Sequence, residues 1–535
     1  PACLGVPPFI SPYPRYIAGA LIEAGSEPQH ITYRTIDSLR SNEYLIEGDY
    51  SYVFLIGGSS VPGKYLGARI GTLAEINRII ATNRRLPIAA GGVVSRALTP
   101  APNLIIVMND IEKFACSLAR GIPEDTSRTY DDIDRWAPLG SFIINEHPWF
   151  PDIICEMETG RGCPRESHCT FCSEGLLERI EFREIKGIIS ETESLIRQGS
   201  TRFRIGRQPD IIQFGSSLSE FRKGFPRPEP GAVKELFSAL KSFKDMGRIE
   251  VLNVDNANPG SIVNWPEESE SILAAIASAV SAGDTLPFGI ESFDENVVRM
   301  NNLKVNADEA LFAIRMVNEI CGGRVDGIPV LLPGVNLIQG LRGECSDTFK
   351  KNYESLLRMV DAGLMIKRIN IRKLQPYPGT PLYTEGRRQS TSLEKRFEFF
   401  RGKIRDEIDN RMLKMIYPAG TIVRRNLMLD CRDGYSLGKQ IASYSITVKI
   451  AGETGRIFQD ILVTGHRERS LSGIPIPFNP NNAAGKAFEA IPGIGRERAS
   501  SLILKRPFKT AGEFAAELDG VNNRLRAVIA ENTLI

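Results

Sequence analysis

Three cysteines within ten residues carry the most specific chemical signal in the chain. Cys163, Cys169 and Cys172 are separated by five and two residues, so one loop can turn all three thiolates inward. Thiolates are the ligands of iron–sulfur clusters and of structural zinc. Zinc would want a fourth ligand, and His168, directly beside Cys169, has difficulty reaching the same ion. Three ligands without a second Cys-x-x-Cys pair therefore favour a four-iron cluster with one open iron.

Downstream of this loop, short apolar runs alternate with amphipathic stretches and end in polar residues. The candidate strands are Ile153–Cys155, Arg202–Gly206, Ile249–Asp255, Leu286–Glu291, Ile328–Leu332 and Ile369–Gln375. This rhythm predicts a β/α barrel, partial or complete, over residues 136–385. In such a barrel the site lies at the C-terminal ends of the strands. A polar residue at a strand end can equally be a satisfied structural hydrogen-bonding group.

The segment from Glu158 through Cys172 resembles the opening of radical S-adenosylmethionine enzymes. The family's usual cysteine spacing is three and two. This chain keeps the aromatic residue before the last cysteine, Phe171, and departs with a spacing of five, which puts the loop geometry in question more than the cluster. The resemblance implies a [4Fe–4S] cluster and S-adenosylmethionine, cleaved reductively to a 5′-deoxyadenosyl radical.

The resemblance continues through the predicted barrel in order. The Pro333-Gly334 and Gly340–Glu344 stretches resemble the glycine-rich turn on the adenine side. The resemblance identifies no catalytic acid or base. It implies an S-adenosylmethionine pocket formed by Phe171, Arg204, Arg207, Gln208, Asn253, Asp255, Glu291, Ser292 and Gln375.

Residues 1–135 predict a separate doubly wound, Rossmann-like parallel sheet. The run Tyr52–Ile56 ends in Gly57-Gly58-Ser59-Ser60, and the run Leu86–Ala90 ends in Gly91-Gly92. Ligands bind outside the carboxyl ends of such strands, and glycine lets a ligand approach the backbone. Ordinary turn chemistry between strand and helix would also explain these glycines.

A doubly wound domain before the barrel resembles the cobalamin-binding arrangement found within the same family. No Asp-x-His-x-x-Gly element occurs, so a lower axial histidine from that motif is absent. The methylthiotransferase branch is an alternative, but it carries three cluster cysteines in its N-terminal domain, where this chain has only Cys3 and Cys116. The resemblance implies cobalamin contacts from Pro8, Tyr13, Gly57, Gly58, Ser59, Ser60, Gly91, Gly92 and Val93.

The C-terminal part changes character. A charged helical segment and a small β domain span residues 386–471, a Pro/Asn-rich linker is predicted over Ser472–Ala484, and residues 485–535 resemble a helix-hairpin-helix. The β domain loosely resembles the small RNA-binding barrel that follows some radical S-adenosylmethionine domains. From residue 386 onward, 25 Lys and Arg stand against 16 Asp and Glu, a net charge of +9. Nucleic-acid contact and structural packing are both open for the helix-hairpin-helix.

The 535 residues contain 42% hydrophobic and 24% charged residues, so a globular α/β protein of several domains is expected and global disorder is excluded. Nine cysteines, an odd number, and no apolar run near the ~20 residues of a membrane span favour a cytoplasmic metal protein over a disulfide scaffold or a membrane protein.

The chain as a whole resembles the cobalamin-dependent radical S-adenosylmethionine methyltransferases of methanogenic archaea that C-methylate residues of methyl-coenzyme M reductase. Among these enzymes it most resembles the one that methylates glutamine. It implies methylation of an unactivated carbon, the glutamine Cα, by methylcobalamin. The expected partners are the protein substrate and an electron donor. An enzyme that modifies RNA and a non-catalytic nucleic-acid-binding protein with a structural cluster are the alternatives.

Overall fold

The computed structural model describes residues 4–5, 8–58, 64–65, 68–69, 71–177, 179–375, 377–383, 391–442, 444–452, 454–455 and 457–535. The predicted cobalamin contacts Ser59 and Ser60 lie outside these residues. Within the described part of the chain, no helix combines the length and the apolar character needed to cross a membrane.

The N-terminal region combines a small parallel sheet with five helices. Its strands are β1 Leu4–Gly5, β2 Pro8–Ile10, β3 Val53–Ile56, β4 Lys64–Tyr65, β5 Ala68–Arg69, β6 Ile88–Gly91 and β7 Leu104–Ile106. Its helices are α1 Tyr13–Glu23, α2 Ile36–Ser41, α3 Leu73–Thr82, α4 Ile111–Ala119 and α5 Tyr130–Leu139. The predicted helix Leu73–Thr82 is confirmed, and it begins with a capping box between Thr72 and Glu75.

The parallel sheet of this region has the order β3-β6-β7, which follows the chain. A doubly wound sheet requires a reversal of strand order, and the described strands contain none. The prediction of a parallel α/β sheet is therefore right, whereas its doubly wound topology is not seen here. Strand β2 lies elsewhere, because it pairs in parallel with the first strand of the central region, Ile154–Glu158.

The central region alternates strands and helices. Its strands are β8 Ile154–Glu158, β9 Gly160–Arg161, β10 Glu181–Phe182, β11 Arg202–Gly206, β12 Phe221–Arg222, β13 Phe225–Pro226, β14 Val251–Val254, β15 Asp284–Glu291, β16 Arg324–Val325, β17 Ile328–Pro329, β18 Leu331–Gln339 and β19 Arg368–Lys373. Its helices are α6 Ile185–Arg197, α7 Pro230–Asp245, α8 Pro259–Asn264, α9 Pro266–Ala279, α10 Glu295–Met300, α11 Ala307–Cys321 and α12 Ser346–Asp361.

Six parallel strands of this region follow one another in space. One sheet contains β8-β11-β14, a second contains β15-β18-β19, and a parallel bridge between Ala257 and Phe288 joins them. The predicted strand Ile328–Leu332 is misplaced, because Ile328 and Pro329 form a hairpin with β16 and the sheet strand runs over Leu331–Gln339. We call this open array the main sheet.

Alternation along the main-sheet strands separates an apolar face from a polar one. Phe203 and Ile205 of β11 and Leu252 and Val254 of β14 lie in the largest hydrophobic core. The residues between them are polar, since Arg204 alternates with these apolar residues and is paired with Asn253 across the ladder. Because side chains of a strand alternate between faces, the polar residues share the opposite face.

The C-terminal region consists of helices, a barrel and a second helical unit. Helices α13 Thr391–Lys403 and α14 Asn410–Ile416 flank a π-helical segment, Ile404–Asp409. Strands β20 Ile422–Arg432, β21 Tyr435–Gln440, β22 Thr447–Ala451, β23 Phe458–His466 and β24 Ser470–Ile476 close a barrel in the order β20-β21-β22-β24-β23. Strand β24 occupies the start of the predicted linker, so the linker prediction is wrong for Ser472–Ile476, where apolar alternation continues the sheet.

The final helices are α15 Gly485–Glu489, α16 Arg496–Leu504, α17 Ala511–Ala516 and α18 Asn523–Glu531. Their core includes Phe488 and Phe514 and extends onto Leu462 and Ile474 of the barrel. Gly493 and Gly520 both have left-handed backbone, and a Cβ added to Gly493 would lie 3.5 Å from the carbonyl oxygen of Gly520. Two hairpin turns therefore meet here, where the sequence predicted one.

Candidate functional site

The three cysteines lie together in the loop between β9 and a short 3-10 helix, Ser173–Leu176. Cys169 is buried, and Cys163 and Cys172 are half-buried. Cys169 and Cys172 pack in an apolar cluster with Leu303 and Leu341, which follow β15 and β18. The loop therefore lies at the carboxyl ends of the main-sheet strands, where the sequence predicted the site.

The surroundings of the loop disfavour free thiolates. Burial raises the pKa of Cys163, and burial together with the neighbouring Cys169 raises the pKa of Cys172 to about 12. A cationic group such as a metal ion would be needed to hold Cys163 and Cys172 ionised. His168 does not join them, since its Nε2 lies 3.2 Å from the backbone oxygen of Cys163.

The thiols suit a cluster in their donor chemistry. Within the described residues, no three His, Cys, Asp or Glu side chains converge on one point as ligands of a single ion do. Cluster thiolates need no such convergence, because each binds a different iron. Arg165 supports the set from outside, donating from Nη1 to Sγ of Cys169 over 3.4 Å. Hydrogen bonds to cluster sulfurs are one means by which proteins adjust reduction potential.

Close to the cysteines in the fold, the buried Glu291 pairs with the half-buried Lys304. Glu291 ends β15, and Lys304 Nζ lies 3.6 Å from Glu291 Oε1 while donating to the carbonyl of Gly289 over 2.8 Å. Burial raises the pKa of Glu291, although Lys304 opposes the rise. Burial would lower the pKa of Lys304, but the negative charges of Cys169, Glu291 and Cys172 outweigh it and raise that pKa.

Lys304 is a site residue that the sequence did not reveal. It follows Asn301-Asn302-Leu303 after helix α10 and has no motif neighbour of its own. The usable signal was a single lysine within an otherwise apolar and amide-rich stretch close behind Glu291. Sequence spacing alone cannot show that this stretch folds back against both the cysteine loop and β15.

Arg204, predicted to contact S-adenosylmethionine, is engaged with carboxylates. Its Nη1 donates to Glu156 Oε1 over 2.8 Å and its Nη2 lies 2.5 Å from Asp255 Oδ1. These residues come from three adjacent main-sheet strands or their ends, and the guanidinium also lies over the ring of Phe9. Arg204 of β11 and Asp255, which follows β14, therefore form an ion pair.

Arg207 and Gln208 follow β11 and face different surroundings. Arg207 is exposed and donates from Nη2 to Tyr13 Oη over 3.0 Å, which joins the main sheet to α1. The neighbouring Tyr13 raises the pKa of Arg207, and burial raises the pKa of Tyr13 to about 12. Gln208 is buried and bonds to Thr159 and to the carbonyl of Asp255.

Asn253 presents an unsatisfied atom. It is 1% exposed, and its Oδ1 has no hydrogen-bond partner in the described structure. A buried polar atom without a partner costs about 1–3 kcal/mol. The Oδ1 of Asn253 is thus available to accept a hydrogen bond from a ligand or a water molecule on the polar face of β14.

Left-handed backbone marks the ends of three consecutive main-sheet strands. After β11, Arg207 has φ +62°; after β14, Asn256 has φ +23°; at the end of β15, Glu291 has φ +69°. Residues other than glycine at such φ cost of order 1–3 kcal/mol and cluster at functional sites. The strain is distributed over the same strand ends that the sequence assigned to the cofactor pocket.

The remaining predicted pocket residues have mixed placements. Phe171 packs in the apolar cluster around Cys169. Ser292 Oγ bonds to Asn352 Oδ1 over 3.3 Å and accepts from the backbone N–H of Asp294, so its hydroxyl serves the start of the next helix. Gln375 is exposed just beyond β19.

The predicted cobalamin turns are packed tightly, with one exception. A Cβ added to Gly57 would meet Val94 at 1.8 Å, one on Gly91 would meet Ile111 at 2.7 Å, and one on Gly92 would meet the carbonyl of Gly57 at 2.5 Å. These glycines thus allow close packing of protein against protein, the turn-chemistry alternative. Gly58 differs, since an added Cβ would meet no atom of the described residues within 4 Å.

The N-terminal turns nevertheless lie next to the main sheet. Tyr377, after β19, donates its hydroxyl to the carbonyl of Val93. A Cβ added to Gly379 would lie 3.4 Å from Leu176, which follows the cysteines, and 3.9 Å from Arg96. Pro8 is buried in β2, beside β8. The carboxyl end of β6 thus lies beside the cysteine loop.

Comparison with models of known protein families finds no match. Among solved structures, the radical S-adenosylmethionine methyltransferase TsrM from Kitasatospora setae, determined with cobalamin and a [4Fe–4S] cluster, has a TM-score of 0.46 at 16% identity, over 70% of this chain and 76% of that one. The cobalamin-dependent radical enzyme OxsB has a TM-score of 0.44 at 15% identity, over 74% and 54%.

Two archaeal proteins match in sequence along most of the chain. An uncharacterized protein of Archaeoglobus fulgidus is 34% identical over 523 residues, covering 96% of this chain and 95% of its own. An uncharacterized protein of Methanocaldococcus jannaschii is 36% identical over 504 residues, covering 88% and 91%. The chain belongs to the same family as these two archaeal proteins.

Proposed function

We propose that this protein is a cobalamin-dependent radical S-adenosylmethionine methyltransferase that methylates an unactivated carbon. The observation that carries the proposal is the three-thiol loop at the carboxyl ends of the main-sheet strands, with the Glu291–Lys304 pair against it. When bound, the cluster, S-adenosylmethionine and cobalamin would supply the radical chemistry and the methyl group.

The chain's own residues would bind and orient these groups. Cys163, Cys169 and Cys172 would hold the cluster. The buried Glu291 can accept hydrogen bonds from hydroxyl groups of a ribose, and the unsatisfied Oδ1 of Asn253 offers an acceptor on the same side. Lys304 would favour the ionised form of Glu291 in that role, because its ammonium opposes the rise in pKa that burial causes.

A corrin would lie between the N-terminal sheet and the main sheet. The open space at Gly58 and the nearness of Val93 to Tyr377 support this position. Gly57, Gly91 and Gly92 would act indirectly by letting the turns pack closely. His30, the only histidine of the first 135 residues, is exposed on a 3-10 turn, so we propose a cobalt without a histidine below it.

For the substrate we propose a carbon of a protein residue, the glutamine Cα of methyl-coenzyme M reductase, with an electron donor as second partner. Support comes from the order of motifs along the chain, which resembles the methanogen glutamine C-methyltransferase. Modification of RNA is the second candidate, favoured by the closed five-stranded barrel behind the main sheet.

The decisive experiment is anaerobic reconstitution with iron, sulfide and hydroxocobalamin, followed by incubation with methyl-deuterated S-adenosylmethionine and a glutamine-containing peptide of the reductase. Transfer of one deuterated methyl group, located by tandem mass spectrometry, is expected together with 5′-deoxyadenosine. The Cys169→Ala variant should give neither product, whereas Cys431→Ser, an exposed thiol on the barrel, should give both. A reconstituted protein that makes 5′-deoxyadenosine and takes up no corrin would refute the cobalamin part.

A further inference from the structure

The small barrel has the strand order of an oligonucleotide-binding fold. Its first three strands form an antiparallel meander, and β22 then pairs in parallel with β24, which leads back through β23 to β20. In five-stranded Greek-key barrels of this order, the face of the second and third strands binds oligonucleotides or oligosaccharides. The corresponding face here belongs to β21 and β22.

The side chains on this face combine an aromatic ring with cations. Alternate burial along β21 and β22 turns Ser436, Gly438, Val448 and Ile450 inward. The residues between them point outward. Four of these define what we call the outer face: Tyr435, Leu437, Lys439 and Lys449.

Two lysines lie against the aromatic ring at one end of the outer face. Lys449 Nζ is 3.8 Å from the centroid of Tyr435, and Lys486 Nζ, from α15, is 5.1 Å away. Aromatic rings flanked by cations are the elements with which proteins bind single strands, since bases stack on the ring and phosphates meet the cations.

At the other end of the outer face lies Lys439, which the alternation along β21 turns outward. Among the described residues Lys439 makes no ion pair. Burial lowers the pKa of Lys439, and the positive charge of Arg368, the first residue of β19, lowers it further. A bound phosphate would supply a counter-charge to Lys439.

We infer that the outer face of β21 and β22 binds a single-stranded polynucleotide, with phosphates at Lys439 and Lys449 and a base on Tyr435. The net charge of +9 beyond residue 385 complements this ligand.

Binding is tested by fluorescence anisotropy of the full chain with labelled 12-nucleotide single strands of RNA and of DNA, and with the corresponding duplexes, at several salt concentrations. Affinity should fall steeply with salt, with a slope of about −0.7 for each phosphate contact. Lys439→Gln should weaken binding several-fold and reduce the slope by about 0.7. Tyr435→Ala should weaken it about fivefold to a hundredfold with little change of slope.

Lys241→Gln is the matched control, since Lys241 is a half-exposed lysine on α7, paired with Asp245 at 2.5 Å. It should bind like the wild type. Equal affinity of Lys439→Gln, Tyr435→Ala and wild type would overturn the inference, as would tighter binding of duplex than of single strands. The experiment needs neither cluster nor cobalamin, so its failure and that of the proposed methyltransferase activity are distinguishable.

Discussion

The ammonium of Lys304 lies 3.6 Å from the carboxylate of Glu291, and the preceding residue, Leu303, packs with Cys169 and Cys172. A lysine after α10 thus joins the end of β15 to the cysteine loop. Burial raises the pKa of Glu291, and the charge of Lys304 opposes that rise. Cofactor binding and the cluster environment should therefore respond together when Lys304 changes.

Replacing Lys304 with Met should weaken S-adenosylmethionine binding about tenfold to a hundredfold, because Glu291 would lose its counter-charge and its pKa would rise further. Lys304→Arg should retain part of the affinity. The measurement is isothermal titration of the reconstituted protein with S-adenosylmethionine, alongside iron analysis. Equal affinity of the Met variant and wild type at full iron content would contradict this role.

Loss of the three loop cysteines should remove the cluster. The triple variant Cys163→Ala, Cys169→Ala, Cys172→Ala should bind no iron or sulfide after reconstitution, where the wild type binds about four irons. Cys345→Ser, which changes an exposed thiol at the start of α12, should keep the full iron load. If the triple variant also kept it, the ligand assignment would be wrong.

The sequence predicted the main-sheet strands well where alternation is strong. Arg202–Gly206 was predicted to the residue, since apolar Phe203 and Ile205 alternate with arginines. Ile328–Leu332 failed because a continuous apolar run through a hairpin and a strand carries no boundary signal. Lys304 was missed for a different reason, because its role depends on a chain reversal that joins distant elements.

Glycine is where sequence reasoning was weakest. Gly57-Gly58 and Gly91-Gly92 are the same dipeptide in sequence. Of these four glycines, only Gly58 faces open space among the described residues. Whether a missing side chain admits a ligand or a neighbouring loop is decided by tertiary packing. Because Gly58 faces open space and the other three glycines do not, replacing Gly58 alone tests the cobalamin site more sharply than replacing all four.

Gly58→Leu should reduce hydroxocobalamin uptake while leaving folding and iron content intact, because the added side chain would enter open space. Gly91→Leu should instead destabilise the N-terminal sheet, since its Cβ would clash with Ile111 at 2.7 Å. Thermal unfolding and the absorption spectrum of bound corrin separate the two effects. Full corrin uptake by a folded Gly58→Leu protein would argue against a corrin at this turn.

The buried Glu191 links the two regions that would hold the cofactors. It pairs with Arg15 of α1 and with Arg183, which also binds Asp134 of α5. Burial would raise the pKa of Glu191, but the two arginines outweigh it and lower that pKa. Removing one partner of a buried pair leaves uncompensated charge and costs about 3–5 kcal/mol. Glu191→Gln should therefore lower the free energy of unfolding by about that amount at pH 7.

The ion pairs of Glu191 also predict how stability depends on pH. Because the pKa of Glu191 is lower in the folded than in the unfolded chain, its stabilisation is present above about pH 4.3 and is lost as the pH falls further. The difference in the free energy of unfolding between wild type and Glu191→Gln, measured with urea, should thus be largest at pH 7 and should shrink below pH 4. Glu193→Gln, at a half-exposed position on the same helix, should cost about 0–1 kcal/mol. Equal losses in both variants at pH 7 would show that Glu191 does not join the two regions.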